Sequence, residues 1–405
     1  MSGTVWEILD LLARWVHVIA GIMWVGNSLL FNWLDRNLTN SSSQRGRSAI
    51  GTIWLLHSGG FYYVEKTSLA GERVPMPLHW FKWQAYTTWL SGMALLIVVY
   101  YFGGRAVLAD PTVASLSHAA AVAVGFGAIA IGWMLYESMQ RFVAPSAPAA
   151  ALTIWLIGLI AIAFELTRLL SGRAAFLHVG AMLGTIMAGN VFFTIVPSQR
   201  GLVASVEQHG AADAAISARA KRVSIHNNYF TFPVIVLMVS NHFASIYGSR
   251  WNWALLFVLI AAGAAVRHVL NVRFAFSAWR PTLAATIVAG VAAIFALTAA
   301  SNRGSEPATS ITTGAVTFDD ARHVIDRRCA ACHSAQPSDS TFGAGPAGVM
   351  FDTPEQIVAR AARIRERAVV TRTMPPGNKT HITDAERAVL AAWIAQGAPT
   401  GSSKR

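Results

Sequence analysis

Both cysteines of the 405-residue chain lie in one short motif, Cys329-Ala-Ala-Cys332-His333. Two thiols three positions apart on a helical turn point the same way, as the two vinyl groups on one edge of a porphyrin require. The histidine that follows comes round beneath the ring, where its imidazole can bind the iron. This C-x-x-C-H pattern is typical of covalent c-type haem attachment, and it predicts haem c held by Cys329, Cys332 and His333.

Two other kinds of site use cysteines at this spacing. A redox dithiol follows a strand in a βαβ unit, and no such unit is visible before Cys329. A zinc site needs two more ligands, and the only other histidines in this part of the chain are His323 and His381. The motif therefore favours haem c over a dithiol or a zinc site.

The residues around the motif predict a small helical domain. Thr317, Thr353 and Thr383 each begin a helix-start signature, and the apolar face of the last helix stops at Gly397. The loop TRTMPPGN before that helix projects Met374. This order resembles a class I cytochrome c domain, which implies Met374 as the second haem-iron ligand and a raised reduction potential. Packing in the core is the alternative role for this methionine.

The rest of the chain has the composition of a membrane protein. Charged residues make up only 13% of the sequence, against about a quarter in soluble domains, and the mean hydropathy is +0.44. Apolar runs of about 20 residues, the length that crosses a bilayer, recur along it. Eight are predicted: 11–33, 84–103, 118–138, 150–170, 174–196, 229–247, 252–271 and 281–300.

The basic residues predict the orientation of these spans. Of the 20 Lys and Arg residues up to Arg303, 14 fall in the loops after the first, third, fifth and seventh spans. By the positive-inside rule, both termini then lie outside the cytoplasm, on the periplasmic side where bacteria attach c-type haem. We expect a multi-pass protein of the bacterial inner membrane. The net charge of +12 suits anionic headgroups of the lipid bilayer and requires no nucleic acid.

Two domains follow from this division. Residues 1–304 are predicted to be an integral membrane catalytic domain and residues 305–405 a periplasmic cytochrome c domain, with 301–316 as a linker. The segments around His17 and His178 each place a histidine, small residues and then Gly-Asn in order. This similarity predicts a 4+4 parallel repeat. The fold class is therefore all-α: a polytopic membrane helical bundle of eight spans fused to a small class I cytochrome c-like domain.

Four histidines are predicted near the outer face, on the side of the cytochrome domain: His17, His118, His178 and His242. Histidines are costly to bury in a membrane without a purpose, and imidazole is a common iron ligand. They predict a non-covalent haem b in the membrane domain, with His17 and His178 as the first choice of ligands. Hydrogen bonding between helices is the alternative role for each of them.

The segments HVIAGIMWVGNSLLFNWLDRNL, GGFYYVEK and HWFKWQAYTTWLSG, followed by a C-terminal cytochrome-like domain, resemble the bacterial membrane-bound urate oxidases, also called urate hydroxylases. The resemblance covers essentially the whole chain. It implies oxidation of urate to 5-hydroxyisourate with water as the oxygen source. It also implies that electrons leave through the cytochrome to a respiratory acceptor, a cytochrome or a terminal oxidase, and not to dioxygen.

A urate site needs cations or N–H donors for the anion, a flat face for the ring and a base for the attacking water. Groups of these kinds are predicted near the cytoplasmic face, and the candidate catalytic residues are His79, His226, Asn227 and Arg267. His79 or His226 is the candidate base, because imidazole titrates near neutral pH. A belt of aromatic and basic residues at headgroup level is the alternative interpretation.

The sequence is also consistent with two other functions. A membrane oxidoreductase of another donor, such as a quinol, would feed the same haem. A non-enzymatic redox-sensing or transport module would use the cytochrome as a sensor. Reduction of the haem by urate or by quinol discriminates among them.

Overall fold

The computed structural model describes residues 3–39, 49–69, 71–102, 105–303, 316–339 and 345–400. We call residues 3–303 the membrane unit and residues 316–400 the tail. The predicted domain boundary at 304/305 and most of the predicted linker lie outside the described residues.

The membrane unit is built mainly of helices. In chain order its elements are α1 (Gly3–Asn37), β1 (Ala49–His57), β2 (Gly60–Thr67), α2 (Trp83–Leu95), α3 (Arg105–Leu108), α4 (His118–Ser138), α5 (Pro148–Leu169), α6 (Gly172–Gly189), α7 (Val196–His209), α8 (Ala214–Ser240), α9 (Ala244–Tyr247), α10 (Asn252–Val272) and α11 (Trp279–Arg303). Short π-helical segments extend α2, α4 and α6: Leu96–Tyr101, Met139–Val143 and Asn190–Ile195.

Seven helices among the described residues are long and apolar enough to cross a membrane, so the chain has the architecture of a membrane protein. They are Ile8–Asn37, His118–Val143, Pro148–Leu169, Gly172–His209, Ala214–Ser240, Asn252–Val272 and Trp279–Ser301. These correspond to seven of the eight predicted spans. The second predicted span forms α2 and its π-helical extension, but polar residues such as Gln84 and Thr88 keep it out of this group.

The contacts of α2 nevertheless place it in the bundle, beside α1 and α4. It runs antiparallel to α1, because Phe31 near the end of α1 packs on Phe81 just before α2, with ring centroids 5.1 Å apart. Earlier in α1, His17 bonds to Thr88. The far end of α2 reaches Tyr101, whose carbonyl accepts a hydrogen bond from His118 at the start of α4. The chain therefore passes from one end of the bundle to the other between α1 and α4.

The most buried helix of the bundle is α6. In its membrane-length segment 61% of the residues are buried, against 6% for α1 and none for α11. Gly125 and Gly132 on α4 allow it to approach closely, since an added Cβ at these positions would overlap His178 and Met182 of α6. Small residues at such crossings are the usual means of close helix packing in membranes.

The prediction of an all-α fold is wrong in one element. Between α1 and α2, the strands β1 and β2 form an antiparallel hairpin in which His57 pairs with Gly60. The two turn residues, Ser58 and Gly59, both have positive φ, which is the geometry that matches the twist of a tight hairpin. The flanking runs are rich in β-branched and aromatic residues, so the sequence carried this signal.

The two ends of the bundle differ. The hairpin end holds β1 and β2, which an ion pair between Lys66 and Asp35 ties to the end of α1. At the opposite end, which we call the tail end, the connections α2–α4, α5–α6 and α8–α10 lie against the tail. The predicted 4+4 repeat stays a prediction. The hairpin follows the first helix of one half, whereas the helix α7 occupies the corresponding place in the other.

The tail has its own hydrophobic core. Its helices are α12 (Phe318–Arg328), α13 (Pro354–Ala359), α14 (Ala361–Ile364), a π-helical segment Arg365–Val370 and α15 (Asp384–Ala395). Each of the three predicted helix starts is confirmed as a reciprocal capping box, at Thr317, Thr353 and Thr383. Hydrogen bonds from Thr317 lower the pKa of Asp320 in the first of them. The fully buried Trp393 of α15 packs on Phe318 of α12 in the core.

Candidate functional site

The C-x-x-C-H motif lies on the turn that ends α12. Cys329 is the C-cap residue that follows the last residue of that helix, and its carbonyl accepts hydrogen bonds from the backbone N–H groups of Cys332 and His333 at 3.1 and 3.0 Å. The two cysteines are free thiols. The backbone therefore holds both thiols and the imidazole on one compact turn.

The ring of His333 is oriented by its neighbours. Its Nδ1 lies 3.0 Å from the carbonyl oxygen of Val349, to which it can donate, and Phe351 packs against the ring at 5.3 Å. With the proton on Nδ1, the Nε2 lone pair is available to a metal. Such a hydrogen bond is the usual way in which proteins fix a ligating histidine.

The electrostatics of the thiols argue against a redox dithiol. Burial raises the pKa of the Cys329 thiol to about 12, and burial also raises the pKa of the Cys332 thiol. Reactive dithiols depend on the opposite shift, toward the thiolate. Among the described residues, no group of three or more His, Cys, Asp or Glu side chains is arranged to hold a metal ion, so the zinc alternative gains no support either.

Met374 lies in a loop that the buried Arg387 supports. The N–H of Met374 donates to the carbonyl of Arg367 at 2.9 Å, and its own carbonyl accepts from Arg387 Nη1 at 3.0 Å. The same guanidinium nitrogen donates to the carbonyl of Ala368. Arg387 is only 5% exposed, so it holds the two chain segments that flank the loop together.

A cavity of about 770 Å³ separates this face of the tail from the membrane unit. Cys332, His333 and Met374 line it on one side, and residues of the tail end, among them Asp110 and Arg173, line it on the other. This volume lies within the range of small-molecule and cofactor sites. His333 and Met374 thus line one space, where both could hold the iron of a haem.

The cationic wall of the cavity fits the two carboxylates of a haem. Four arginines line it, namely Arg168, Arg173, Arg250 and Arg372, against the one carboxylate of Asp110. The Nε of Arg173 is buried and has no hydrogen-bond partner. A buried donor without a partner costs about 1–3 kcal/mol, and a propionate oxygen would remove that cost. The residues present therefore fit haem c.

The tail docks directly on the loop between α8 and α10. Arg367 Nη1 donates to the Tyr247 hydroxyl at 3.0 Å. The next residue, Gly248, lies so close that a Cβ there would be 2.4 Å from Thr373 Cγ2 and 2.9 Å from Thr371 Cβ. The absence of a side chain at Gly248 allows this approach.

At the hairpin end, consecutive residues of α8 bond to three different helices. His226 Nδ1 lies 2.8 Å from the Tyr136 hydroxyl on α4. Asn227 Oδ1 accepts from Asn190 at 2.8 Å, and Asn190 also donates to the Tyr136 hydroxyl at 3.0 Å. Asn228 accepts from Arg267 on α10. His226 and Asn227 thus share one network through Tyr136 and Asn190.

Arg267 belongs to a second, separate network. Its Nε donates to Asn228 Oδ1 at 3.0 Å, and Asn271 Nδ2 donates to the same oxygen at 2.7 Å. The guanidinium lies 5.5 Å from the ring of Phe232. Its Nη2 is buried without a hydrogen-bond partner.

The four predicted catalytic residues are therefore only partly brought together. His226 and Asn227 are neighbours in one network, and Arg267 lies on the other side of α8. His79 is exposed on the chain that leads into α2, and nothing in the described contacts connects it to the others. Tyr136 and Asn271 were not predicted, because they carry no local signal, whereas Asn190 belongs to the Gly-Asn pair of the proposed repeat.

The four outer histidines do not fit a shared haem b. His178 is fully buried, its Nδ1 lies 2.7 Å from the Ala174 carbonyl, and its Nε2 lies 3.2 Å from the Tyr101 hydroxyl, so neither ring nitrogen is free. His17 contacts α2 at Thr88 and Ser91, at a different level from Tyr101.

The other two histidines of this set are placed differently again. His118 Nε2 lies 2.7 Å from the carbonyl of Tyr101, and His242 is exposed. The contacts of His17, His118 and His178 match the alternative role of hydrogen bonding between helices.

Comparison with known proteins gives one match. The family model described as urate oxidase N-terminal matches residues 3–299, most of the chain. No curated protein and no solved structure matches the sequence.

Proposed function

The chain belongs to the urate oxidase N-terminal family, and from that premise we propose that it is a membrane-bound enzyme that oxidises urate to 5-hydroxyisourate and passes the electrons to a c-type haem in its own tail. The matched residues, 3–299, cover the membrane unit, to which we assign the oxidation of urate. The tail carries the haem, with Cys329 and Cys332 as the attachment sites and His333 and Met374 as the iron ligands.

One observation supports the coupling of these two parts. The cavity is lined by Cys332, His333 and Met374 of the tail and also by residues of the tail end of the membrane unit. A haem in this cavity would lie against Arg173 and the loop of Tyr247. Electrons from the membrane unit would then enter the haem within one chain, without a diffusing carrier.

The chemistry balances with water as the oxygen donor. Urate and one water give 5-hydroxyisourate, two protons and two electrons, the new bond joining the water oxygen to C5 of the ring. A haem held by Cys329, Cys332, His333 and Met374 would supply a one-electron acceptor for these electrons, with a respiratory acceptor beyond it. The side chains of the protein bind the anion, orient the water and take its proton.

His226 is the proposed base for the water. To act at Nε2 it carries its own proton on Nδ1 and donates it to the Tyr136 hydroxyl oxygen 2.8 Å away. Tyr136 is in turn held by Asn190. This chain of contacts fixes the plane of the imidazole and leaves Nε2 as the free nitrogen.

We propose the bacterial inner membrane as the location, with the tail on the periplasmic side. The basic residues of the loops at the hairpin end support this orientation, since such residues favour the cytoplasmic face. The contact of the tail with the opposite end of the bundle agrees with it. Urate, formed in the cytoplasm, would reach the hairpin end.

An anaerobic spectrum tests the function. Purified full-length protein in detergent is mixed with urate, and the ferrous haem bands are followed while the product is analysed after reaction in ¹⁸O-labelled water. We expect two haem equivalents reduced per urate consumed and one labelled oxygen in the product. The Cys329→Ala protein, which should lose covalent haem on a denaturing gel, is the matched control.

Two results would contradict the proposal. A haem that stays ferric with urate but is reduced by a quinol would assign the chain to another donor. Slow and substoichiometric reduction by every donor would indicate a redox sensor.

A further inference from the structure

A second cavity, of about 500 Å³, lies at the hairpin end of the membrane unit. It is formed by the end of α4 and its π-helical extension, by the π-helical segment after α6 and by the first turns of α8. The residues that line it are Trp133, Glu137, Gln140, Arg141, Pro145, Phe193, Arg219 and Arg222. Its volume suits a small molecule.

Two buried polar atoms of this cavity have no hydrogen-bond partner among the described residues. They are Gln140 Oε1 and Arg222 Nε. Gln140 is only 9% exposed. Each such atom costs about 1–3 kcal/mol unless something binds it. One is an acceptor and the other a donor, so a ligand with both an N–H group and an anionic oxygen or nitrogen would satisfy the pair.

The charge of the lining favours an anion. Arg141, Arg219 and Arg222 contribute three cations, and Glu137 contributes the only carboxylate in the lining. Arg141 and Arg219 are exposed, whereas Arg222 is half-buried, and a guanidinium that is partly withdrawn from water near a membrane is expensive without a counter-charge. The surplus of two cations therefore indicates a site that an anionic ligand completes.

The shape of the lining favours a flat ring. Trp133 and Phe193 lie with their ring centroids 5.5 Å apart and their planes tilted by 39°, and both line the cavity. Aromatic faces bind planar rings, and an amide and a guanidinium recognise the carbonyl and N–H edges of such a ring. A phosphate or a simple carboxylate would use the arginines but neither the aromatic faces nor Gln140.

The cavity adjoins the proposed base. Arg222 and His226 are four residues apart on α8 and so share one face of the helix. In the same way, Trp133 lies three residues before Tyr136 on α4, and Gln140 lies four residues after it in the π-helical extension. Tyr136 and His226 join these two faces with their 2.8 Å contact. A ligand held by Arg222 and Gln140 would therefore lie next to the pair that activates water.

We propose that this cavity is the binding site for the planar purine anion, with Arg222 and Gln140 as its polar contacts and Trp133 and Phe193 as its ring contacts. This inference rests on the proposed function and names its substrate site. In this proposal the anion contacts Arg222 and not Arg267 or His79, neither of which lines the cavity.

Binding can be measured apart from oxidation. The full-length haem protein is reduced with dithionite under argon, so that it can accept no electrons, and is then dialysed to equilibrium against radiolabelled urate. We expect saturable binding, weakened at least about tenfold by Arg222→Gln and by Gln140→Ala. Lys221→Gln is the matched control, because it removes the same charge from the next, exposed position of α8.

The outcomes separate this inference from the proposed function. Unchanged affinity in both cavity variants overturns the inference even if urate still reduces the haem. Loss of urate affinity in both cavity variants, with wild-type affinity in Lys221→Gln, supports the inference. It supports the inference even if urate fails to reduce the oxidised haem. In that case only the proposed function is wrong. Retention of anionic phospholipid by wild type but not by Arg222→Gln, with no urate bound, would assign the cavity to a lipid headgroup and overturn the inference.

Discussion

Tyr247 and Arg367 join the two parts of the molecule, since the Arg367 guanidinium donates to the Tyr247 hydroxyl at 3.0 Å. Tyr247 ends the short helix α9 between two membrane helices, and Arg367 lies in the π-helical segment that leads to the Met374 loop. This contact fixes the face of the tail that carries His333 and Met374 against the tail end of the bundle. Its geometry depends on the close approach at Gly248.

Gly248→Ala should therefore separate the two parts. The added Cβ overlaps Thr371 and Thr373, so the tail must move away or tilt. We expect urate-driven haem reduction to slow by a factor on the order of 10 to 100, because misplacement by about an ångström has effects of this size. Stopped-flow spectroscopy measures the rate.

Gly184→Ala, where the new Cβ meets nothing within 4 Å, should reduce the haem at the wild-type rate, and equal rates in both variants would show that docking does not limit transfer.

Arg387 should control the position of Met374. In Arg387→Met the carbonyls of Ala368 and Met374 lose their donor, which should lower the free energy of unfolding of the tail by about 2–5 kcal/mol. The haem spectrum should also show loss or exchange of the methionine ligand. Arg322→Gln is the control, since Arg322 pairs with Asp326 one turn along α12 and does not line the cavity, and a partly exposed ion pair contributes about 1 kcal/mol or less. A methionine-ligated spectrum in Arg387→Met would remove the positioning role.

The contacts behind these two predictions could not be read from the sequence, whereas other features of the tail could. The C-x-x-C-H turn and the three capping boxes are local: each is specified by residues within four positions of each other. The capping boxes were predicted correctly for that reason, and haem attachment at the C-x-x-C-H turn stays a prediction. The contacts of Tyr247 with Arg367 and of Gly248 with Thr373 join residues more than 100 positions apart, and no periodicity or spacing encodes them.

The membrane unit shows the same division. Seven spans follow from hydropathy alone, whereas α2 needed the contacts of Thr88 and Tyr101 to show its course. The sequence indicated how deep each histidine lies in the membrane, because depth follows from position along a span. It could not indicate which neighbours each side chain contacts, because those depend on helix packing. His178 therefore proved to be fully hydrogen-bonded inside the core, and His226 proved to face Tyr136.

Arg173 should tune the haem of the tail. Its Nε is buried without a partner beside the cavity, so a haem propionate is its expected counter-charge. Arg173→Gln removes a cation near the iron and should favour the ferric form. A shift of about 1 kcal/mol corresponds to a fall in reduction potential of roughly 40 mV for one electron. Spectroelectrochemical titration measures it. Arg14→Gln, whose arginine pairs with Asp10 at 2.8 Å and does not line the cavity, should leave the potential unchanged, and equal potentials in both would place the propionates elsewhere.

Tyr136 should act through His226 on the rate and not on substrate binding. In Tyr136→Phe the imidazole loses the oxygen that holds its Nδ1 proton, so the ring can turn and Nε2 no longer points at the water. General-base catalysis contributes about 10²–10⁴-fold, and we expect urate turnover to fall by at least the lower of these factors, with little change in the urate concentration for half-maximal rate.

The chain offers a matched control in Tyr229, whose hydroxyl makes an equivalent 2.8 Å contact with His268 Nδ1 away from the cavity. Tyr229→Phe should therefore turn over at nearly the wild-type rate. If both variants lose activity equally, the loss reflects general damage to the bundle; if Tyr136→Phe retains full turnover, His226 needs no orienting partner and the assignment of the base is wrong.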